Sequence, residues 1–226
     1  MSKVIVALDP PPRAQPEEWV KERVSSLDEL VYSFKVGLPL ILRTGVGKLR
    51  ELFSTSSKPL IADLKLADIG DIMSYTIEVL ADAGVNAVIS HAFIGKNGAL
   101  DILVRKSEEL GIKPIIVVSM SHQGSTEFID RHLSEFVNMA LGLRVWGVVA
   151  PATRREVIST VRGLAGNKLK ILSPGVGVQG AEPGSAICSG ADYEIVGRAV
   201  TSSSNPREAL EKIIYEQERR VRECRS

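Results

Sequence analysis

Residues 62–71 read Ala62-Asp63-Leu64-Lys65-Leu66-Ala67-Asp68-Ile69-Gly70-Asp71, directly after the apolar run Pro59-Leu60-Ile61. The apolar run predicts a buried strand. Because strand side chains alternate between two faces, Asp63 and Lys65 are predicted to share one face, opposite the neighbouring leucines. Asp68 follows where the strand should turn into a loop. Two carboxylates and an ammonium therefore gather at the end of a buried strand, where charges are costly unless they are paired.

Short apolar runs rich in β-branched residues recur along the chain and alternate with longer amphipathic segments. We expect eight strands, at residues 4–8, 34–37, 60–65, 87–90, 114–119, 145–150, 170–173 and 194–197. Apolar residues at helical spacing predict helices over residues 17–30, 71–83, 99–110, 154–164 and 206–221. Nearly continuous apolar strands that alternate with helices are typical of a parallel sheet covered by helices. Eight such units in 226 residues favour a single-domain (β/α)8 TIM barrel over residues 1–226, with a doubly wound open sheet as the alternative.

The composition excludes several classes of protein. Lys and Arg total 28 against 27 Asp and Glu, so the chain lacks the basic excess expected of a protein that binds a nucleic acid polymer. The apolar run at the N-terminus is too short for a signal peptide, and no segment approaches the roughly 20 apolar residues that cross a bilayer. We therefore expect a cytoplasmic protein with no membrane partner. The two cysteines, Cys188 and Cys224, predict no disulfide, and Cys188 is expected to be a small buried residue in a reducing compartment.

Polar residues follow the ends of most predicted strands, which is the rim where barrel enzymes carry their chemistry. The charged residues at the first three strand ends are Asp9, Lys35, Asp63, Lys65 and Asp68. A structural ion-pair network is the simpler explanation of such charges. It would not require them to converge from several strands, so we interpret the cluster as catalytic machinery.

Two loops near the C-terminus predict an anion site. The seventh strand leads into Pro174-Gly175-Val176-Gly177-Val178-Gln179-Gly180, and the eighth ends at Gly197-Arg198. Glycines let a backbone approach an anion closely, and barrels often hold phosphate after strands seven and eight. Arg198 can donate two parallel hydrogen bonds to a phosphate. Loops 121–130 and 175–183 are candidate mobile loops over the site.

Together these motifs resemble the orotidine 5′-phosphate decarboxylase family, in its archaeal form. The matching segments occur in the family's order: Ala7-Leu8-Asp9, Lys35-Val36-Gly37, Asp63-x-Lys65-x-x-Asp68-Ile69, Met120-Ser121-His122, Ser173-Pro174 through Gln179-Gly180, and Val196-Gly197-Arg198. The central motif also occurs in related sugar-phosphate enzymes, whereas its combination with the later segments is more specific. The resemblance implies decarboxylation of orotidine 5′-monophosphate (OMP) to uridine 5′-monophosphate (UMP) in de novo pyrimidine biosynthesis, with no cofactor and no metal.

The resemblance also implies a role for each matching residue. Lys65 would deliver a proton to C6 of the pyrimidine as carbon dioxide leaves, with Asp63 against the substrate carboxylate. Asp68 would join them from the neighbouring subunit of a homodimer with shared active sites. The other contacts would be Asp9 and Lys35 at the ribose, Ser121, Ile69 and Pro174 at the ring, Gln179 between ring and phosphate, and Gly197 and Arg198 at the phosphate.

One departure from the family pattern follows the Asp68-Ile69 pair. The family commonly has Pro and, two residues later, Thr, where this chain has Gly70 and Ile72. Ile72 has no hydrogen-bonding group, so it cannot reproduce the ribose contact that the threonine would make from the partner subunit.

Three other functions remain open on the same scaffold. The first is a related lyase that acts on a ketose or keto-acid phosphate with magnesium. The second is a catalytically silent nucleotide-binding barrel, which would not need the charges of Asp63, Lys65 and Asp68. The third is a phosphate isomerase, which would need a glutamate or histidine base beside the substrate, and no glutamate ends a predicted strand. Decarboxylation without an electron sink creates a carbanion, and a lysine ammonium next to that carbon meets this need.

Overall fold

The computed structural model describes residues 2–225 and contains eight parallel β-strands that close into a barrel. The strands are β1 (Val4–Ala7), β2 (Ser33–Gly37), β3 (Leu60–Leu66), β4 (Ala87–His91), β5 (Lys113–Val117), β6 (Gly147–Val149), β7 (Lys170–Val176) and β8 (Tyr193–Val196). Because β1 pairs with both β2 and β8, the sheet has no free edge. The TIM-barrel prediction is confirmed, the doubly wound alternative is excluded, and every predicted strand is present.

Helices cover the outside of the barrel. Those in the described chain are α1 (Pro16–Leu27), α2 (Leu38–Thr44), α3 (Leu49–Leu52), α4 (Gly70–Asp82), α5 (Asp101–Glu109), α6 (Leu133–Gly142), α7 (Arg155–Ala165), α8 (Ser185–Cys188), α9 (Arg198–Thr201) and α10 (Pro206–Arg225). The five predicted helices correspond to α1, α4, α5, α7 and α10. The sequence pattern missed the other five, of which α3, α8 and α9 are single turns too short to show a helical period.

Two apolar layers stabilise this arrangement, because each strand buries both of its faces. Inward-facing residues fill the barrel, and they are Ile5, Ala7, Ile61, Ala87, Ile89, Ile115, Val117, Val149, Leu172 and Ile195. Outward-facing strand residues, such as Val6 and Val148, pack against the helices in a second and larger layer. Each fully buried aliphatic side chain contributes about 1.5–3 kcal/mol.

Aromatic side chains close the barrel at the N-terminal ends of its strands. The rings of Tyr32 and Tyr193 stack with centroids 4.1 Å apart, and Trp146 stacks on Tyr193 at 6.1 Å. The Lys113 ammonium lies 5.1 Å from the Trp146 ring centroid, which suits a cation–π contact. All three rings pack against the barrel interior. These rings therefore fill the barrel interior at the N-terminal ends of the strands, and the space at the C-terminal ends is left for a ligand.

The two cysteines form a disulfide, so the prediction that they stay unpaired is wrong. Cys188 ends α8 and Cys224 lies near the end of α10, with their Cα atoms 6.0 Å apart. Cys188 is also exposed rather than buried. The pairing arises because α8 packs along α10, a contact that a separation of 36 residues in sequence does not reveal. Cysteine usage therefore gives no argument for a reducing compartment.

Within residues 2–225, no helix has the length and apolar character needed to cross a bilayer.

Candidate active site

A cavity of about 410 Å³ opens at the C-terminal end of the barrel. Nine of the residues singled out in the sequence line it: Asp9, Lys35, Asp63, Lys65, Ser121, Pro174, Gln179, Gly197 and Arg198. They come from loops and strand ends spread around the whole barrel, which explains why they are far apart in sequence. Its size suits a small-molecule ligand. Asp68 and Ile69 do not line it.

Four charged side chains alternate in sign across one wall of the cavity. Asp63 binds two ammonium groups at once, with Oδ2 2.9 Å from Lys35 Nζ and Oδ1 2.8 Å from Lys65 Nζ. Lys35 Nζ is also 3.8 Å from Asp9 Oδ2. Asp63 and Lys65 thus share a face of β3, as the strand alternation predicts. Lys35 reaches them because its residue lies on β2, next to β3 in the sheet.

The pKa values in this array favour the charged forms. Burial alone would lower the pKa of Lys35, but the charges of Asp63 and Asp9 and the hydrogen bond to Asp63 raise it above its usual value. Burial would likewise raise the pKa of Asp63, but Lys35 and Lys65 lower it below the usual value. The Asp63 side chain is only 12% exposed, whereas that of Lys65 is 40% exposed. The array therefore presents an ammonium to the cavity above a buried carboxylate.

The backbone at Lys65 departs from regular strand geometry. Its φ is +47°, a left-handed value that costs a residue with a side chain about 1–2 kcal/mol. The register between β3 and β4 shifts between Ala62 and Leu66, on either side of this residue. Strained backbone of this kind tends to occur at functional sites. No sequence signal predicts it, because left-handed turns usually carry glycine or asparagine.

The two loops that the sequence predicts to bind an anion meet at the cavity. Gly177 in the loop after β7 has φ of +85°, and a β-carbon there would lie 2.6 Å from the β-carbon of Ala199 in α9. Only glycine allows the two segments to approach this closely. Gly180 N–H donates to the carbonyl of Gly177, and Gly177 N–H donates to Ala181, which closes the loop.

Arg198 supplies a free guanidinium at this end of the cavity. It is the first residue of α9, directly after Gly197, and its side chain is exposed. Among the described residues it has no ion-pair or side-chain hydrogen-bond partner. A cation without a carboxylate, beside a glycine-rich loop and a helix start, suits a phosphate group.

The loop after β5 is held by a polar network that the sequence analysis missed. Arg154 pairs with Asp130 through Nη1, and its Nη2 donates to the carbonyl of Met120 and, at 2.9 Å, to Ser119 Oγ. The hydroxyls of Ser119 and Ser125 donate to Asp130 Oδ1 at 2.7 and 2.8 Å. Burial would raise the pKa of Asp130, but its hydrogen bonds to Arg154, Ser119 and Ser125 lower it. The network fixes both sides of Ser121, which lines the cavity.

Asp68 and Ile69 lie outside the cavity and face away from their own chain. The Asp68 carboxylate accepts the N–H of Ile69 at 2.7 Å and has no lysine partner among residues 2–225. Ile69 is 62% exposed. Along α4, Ile72, Tyr75 and Val79 continue this exposed apolar face at helical spacing. One chain therefore assembles nine of the eleven predicted site residues, without these two.

Gly70 has a packing reason of its own. A β-carbon at this position would lie 2.5 Å from Ile102 Cδ1 and 2.9 Å from the carbonyl of Gly98. The start of α4 thus rests directly on the segment that leads into α5. A proline here would clash with that segment, so the glycine matches the close approach of α4 and α5.

The fold and the cavity define a (β/α)8-barrel enzyme whose cavity has an alternating Asp/Lys array at one wall and an unpaired arginine beside a glycine-rich loop. Comparison with known proteins specifies the family. The model of the orotidine 5′-phosphate decarboxylase / HUMPS family matches residues 2–213, so the chain belongs to that family. The resemblance seen in the sequence motifs is confirmed.

Named relatives and solved structures agree with this assignment. The orotidine 5′-phosphate decarboxylase of Methanosarcina barkeri is 42% identical over 215 residues, covering 95% of this chain and 94% of that protein. That of Aeropyrum pernix is 44% identical, covering 93% and 86%. The crystal structure of the Sulfolobus solfataricus orotidine 5′-monophosphate decarboxylase has a TM-score of 0.85 at 38% identity, covering 98% and 100%. The Methanocaldococcus jannaschii enzyme, complexed with the inhibitor BMP, has a TM-score of 0.86 at 30% identity, covering 96% and 99%.

Proposed function

We propose that this chain decarboxylates OMP to UMP and carbon dioxide, as the names of its relatives say of those proteins. In this reaction the bond between C6 and the carboxylate breaks, and its electron pair stays on C6. A proton from the Lys65 ammonium then forms the new C6–H bond, and carbon dioxide leaves. The lysine regains a proton from solvent, so no oxidant or reductant is needed.

One observation carries this proposal: the Lys35–Asp63–Lys65 array lines the same cavity as a free arginine beside a glycine-rich loop. An ammonium beside C6 stabilises the negative charge that develops there, and a fixed charge in a partly buried site does this better than water. Asp63, whose pKa is lowered, stays ionised next to the substrate carboxylate. The phosphate contacts supply binding energy remote from the reacting carbon.

The family resemblance implies a role for each of the remaining cavity residues. Gly197 and Arg198 bind the phosphate, and Gln179 bridges phosphate and ring. Ser121 and Pro174 contact the pyrimidine. Asp9 and Lys35 hold the ribose hydroxyls, and both line the cavity, with Lys35 Nζ 3.8 Å from Asp9 Oδ2.

The magnesium-dependent lyase is the alternative that the site disfavours most directly. Asp63 is the most buried carboxylate of the array, and both of its oxygens are already occupied by ammonium groups. A magnesium ion would have to displace a lysine to reach it, at the cost of two like charges close together. Across residues 2–225, no three His, Cys, Asp or Glu side chains are grouped as a metal-ligand set.

A direct assay tests the proposed activity. Purified protein is treated with a chelator, mixed with OMP, and followed by the loss of substrate absorbance, with UMP and carbon dioxide quantified at the end. We expect UMP and carbon dioxide in equal amounts, at the same rate with and without chelator. A ketose or keto-acid phosphate is assayed in parallel, and its turnover with magnesium but not with chelator, with OMP left unchanged, would favour the alternative lyase. Binding of UMP with no turnover of OMP would favour the silent binding protein.

We further propose that two copies of the chain form a homodimer with shared active sites. Ile69 and the exposed apolar face of α4 are of the kind that protein interfaces cover. Asp68 lies at the start of this face and pairs with no Lys, Arg or His side chain among residues 2–225. A two-fold axis at this face would carry Asp68 to the cavity of the partner, next to Lys65.

A cytoplasmic location is also part of the proposal. Disulfides are rare in the cytosol of most organisms, although intracellular proteins of hyperthermophiles do contain them, so the Cys188–Cys224 bond makes the location worth testing. Cell fractionation in the source organism tests this location directly, with recovery in the membrane or extracellular fraction as the contrary result.

A further inference from the structure

A buried glutamate lies behind the phosphate end of the cavity, where nothing in the proposed reaction uses it. Glu194 on β8 is fully buried, and its side chain points outward because the next residue, Ile195, faces the cavity. No lysine, arginine or histidine of the described chain pairs with its carboxylate. Burying an uncompensated carboxylate is costly, so its hydrogen bonds must justify it.

Three donors satisfy the Glu194 carboxylate. Gly184 N–H donates to Oε2 at 2.9 Å, Ala186 N–H donates to Oε1 at 3.1 Å, and Gln217 Nε2 donates to Oε2 at 2.8 Å. Gln217 belongs to α10 and is itself 4% exposed. We name Gly184, Ala186, Glu194 and Gln217 the carboxylate brace.

The carboxylate brace joins the two loops that form the phosphate end. Gly184 belongs to the segment that leaves the glycine-rich loop, four residues after Gly180. Glu194 lies three residues before Gly197, on the strand that leads into Arg198. The Glu194 side chain therefore links the segment that follows the glycine-rich loop to the strand that precedes Gly197-Arg198.

Helix α10 holds the brace from outside. A β-carbon on Gly184 would lie 2.9 Å from the carbonyl of Gln217, so α10 packs directly against the segment that follows the glycine-rich loop. Arg220 donates through Nε to the carbonyl of Pro183 at 2.9 Å and pairs through Nη2 with Glu182 at 2.9 Å. The disulfide between Cys188 and Cys224 joins the same two elements one turn further along.

We propose that Glu194 is a positioning residue for phosphate binding, which sets the distance between the glycine-rich loop and Gly197-Arg198. This inference rests on the proposed function, because it assumes that these loops bind the substrate phosphate. The positions of the phosphate-binding groups must be fixed before the ligand binds, because a small displacement of a binding group weakens its contact strongly. Glu194 does not line the cavity, so we expect its effect to be confined to affinity for phosphorylated ligands.

The test compares phosphorylated and unphosphorylated ligands in wild type and Glu194→Gln. The variant keeps the size of the side chain but turns one acceptor into a donor that faces a backbone N–H. We expect KM for OMP and Kd for UMP to rise about tenfold, Kd for uridine to stay unchanged, and kcat to stay within about threefold. An equal rise in Kd for UMP and for uridine, or an unchanged Kd for UMP, would overturn the positioning role.

Two further variants make the result specific. Gln217→Leu removes one donor and leaves the backbone tie, so it should raise KM for OMP about threefold with the same ligand pattern. It also decides the question if Glu194→Gln does not fold, because an unchanged KM in Gln217→Leu would then overturn the inference. Leu103→Ala, a buried change in α5, serves as the control for general destabilisation and should leave KM at the wild-type value.

The proposed activity and the brace can fail separately. Inorganic phosphate is titrated into wild type and Glu194→Gln, with binding measured by calorimetry. Wild type that binds phosphate but does not convert OMP would refute the activity, and a weaker phosphate affinity of the variant would still support the brace. Wild type that converts OMP while both proteins bind phosphate equally would refute the brace alone.

Discussion

The Lys65 ammonium lies 2.8 Å from Asp63 Oδ1, and this contact joins a half-exposed cation to a nearly buried carboxylate. The contact fixes the Lys65 ammonium at the wall of the cavity. Lys35 binds the other oxygen of Asp63, with its Nζ 2.9 Å from Oδ2. Lys65 is therefore the one member of the pair that can reach a ligand and give it a proton.

Lys65→Ala is expected to reduce kcat by at least 100-fold, since a positioned general acid contributes about 10²–10⁴-fold. Affinity for UMP should persist, because the phosphate and ring contacts remain. The measurement combines turnover of OMP with calorimetric binding of UMP.

Two lysine variants sharpen this prediction. Lys65→Arg keeps the charge but replaces the acid with one whose pKa exceeds about 12, so it should remain slow. Lys168→Ala removes an exposed lysine at the opposite end of the barrel and should leave kcat unchanged. Turnover of Lys65→Ala within about tenfold of wild type would remove Lys65 from the mechanism.

Arg198→Ala is expected to weaken OMP binding strongly while leaving the charge array intact. Loss of a charge-assisted contact costs about 2–5 kcal/mol, so KM should rise at least 30-fold by that conversion. Kd for UMP should rise in parallel, and Kd for uridine should not change. The phosphate assignment would be wrong if the variant matched wild type in catalytic efficiency toward OMP.

Arg154→Met should loosen the loop that carries Ser121. The change leaves the Asp130 carboxylate with two hydroxyl donors and no cation. Hydrogen bonds to charged groups contribute about 1.5–3 kcal/mol, so the free energy of unfolding should fall by this amount. Urea denaturation measures the loss. In a double-mutant cycle, Arg154→Met and Asp130→Asn together should cost less than the sum of the two single changes; simple additivity would contradict a direct coupling.

Asp192 lies at the opposite end of the barrel and predicts a pH-dependent stability. Burial would raise its pKa, but the N–H of Ile171 at 2.9 Å and the cations of Lys170 and Arg162 lower the pKa. A lowered folded pKa means that the contribution of Asp192 is complete above its unfolded pKa of about 3.9 and is lost as pH falls through the folded value.

Asp192→Asn should therefore be less stable than wild type at pH 7, and the difference should shrink as pH falls below about 4. Urea denaturation from pH 7 down to acid conditions measures both proteins. Asp82→Asn alters an exposed carboxylate and provides the matched control. A stability difference between wild type and Asp192→Asn that stays constant with pH would show that the charge of Asp192 contributes nothing.

The fold was predictable because its signals are local. Each strand is a short apolar run, and eight of them leave few alternatives to a closed parallel barrel. The partners of Lys65 were also accessible, since Asp63 lies two residues away on the same strand face. Lys35 and Asp9 followed from the rule that strand ends converge at one rim.

The missed features depend on contacts between distant segments. Arg154 precedes α7 and Asp130 lies in a short 3-10 helix after β5, so no spacing links them before the barrel forms. The Cys188–Cys224 disulfide depends on the packing of α8 along α10, and Glu194 looks like an ordinary polar start of a strand. The left-handed backbone at Lys65 has no residue-type signal at all. Tertiary packing determines each of these features, and a pattern search along one chain cannot reach them.

The proposed sharing of active sites between two subunits gives a prediction that requires two chains. Lys65 faces its own cavity, whereas Asp68 faces outward beside the apolar face of α4. Lys65→Ala and Asp68→Ala should each be inactive as homodimers. In a mixed dimer, one composite site receives both substitutions and the other receives neither.

Mixing the two inactive variants under conditions of subunit exchange should therefore restore activity. Random exchange makes about half of the dimers mixed, and half of the sites in those dimers are intact, so about a quarter of wild-type activity should return. Native mass spectrometry of isotope-labelled chains verifies the exchange, and Lys65→Ala mixed with itself provides the baseline. If each chain built its own complete site, every pairing would stay inactive. Proven exchange without recovery would thus place Asp68 outside the partner's active site.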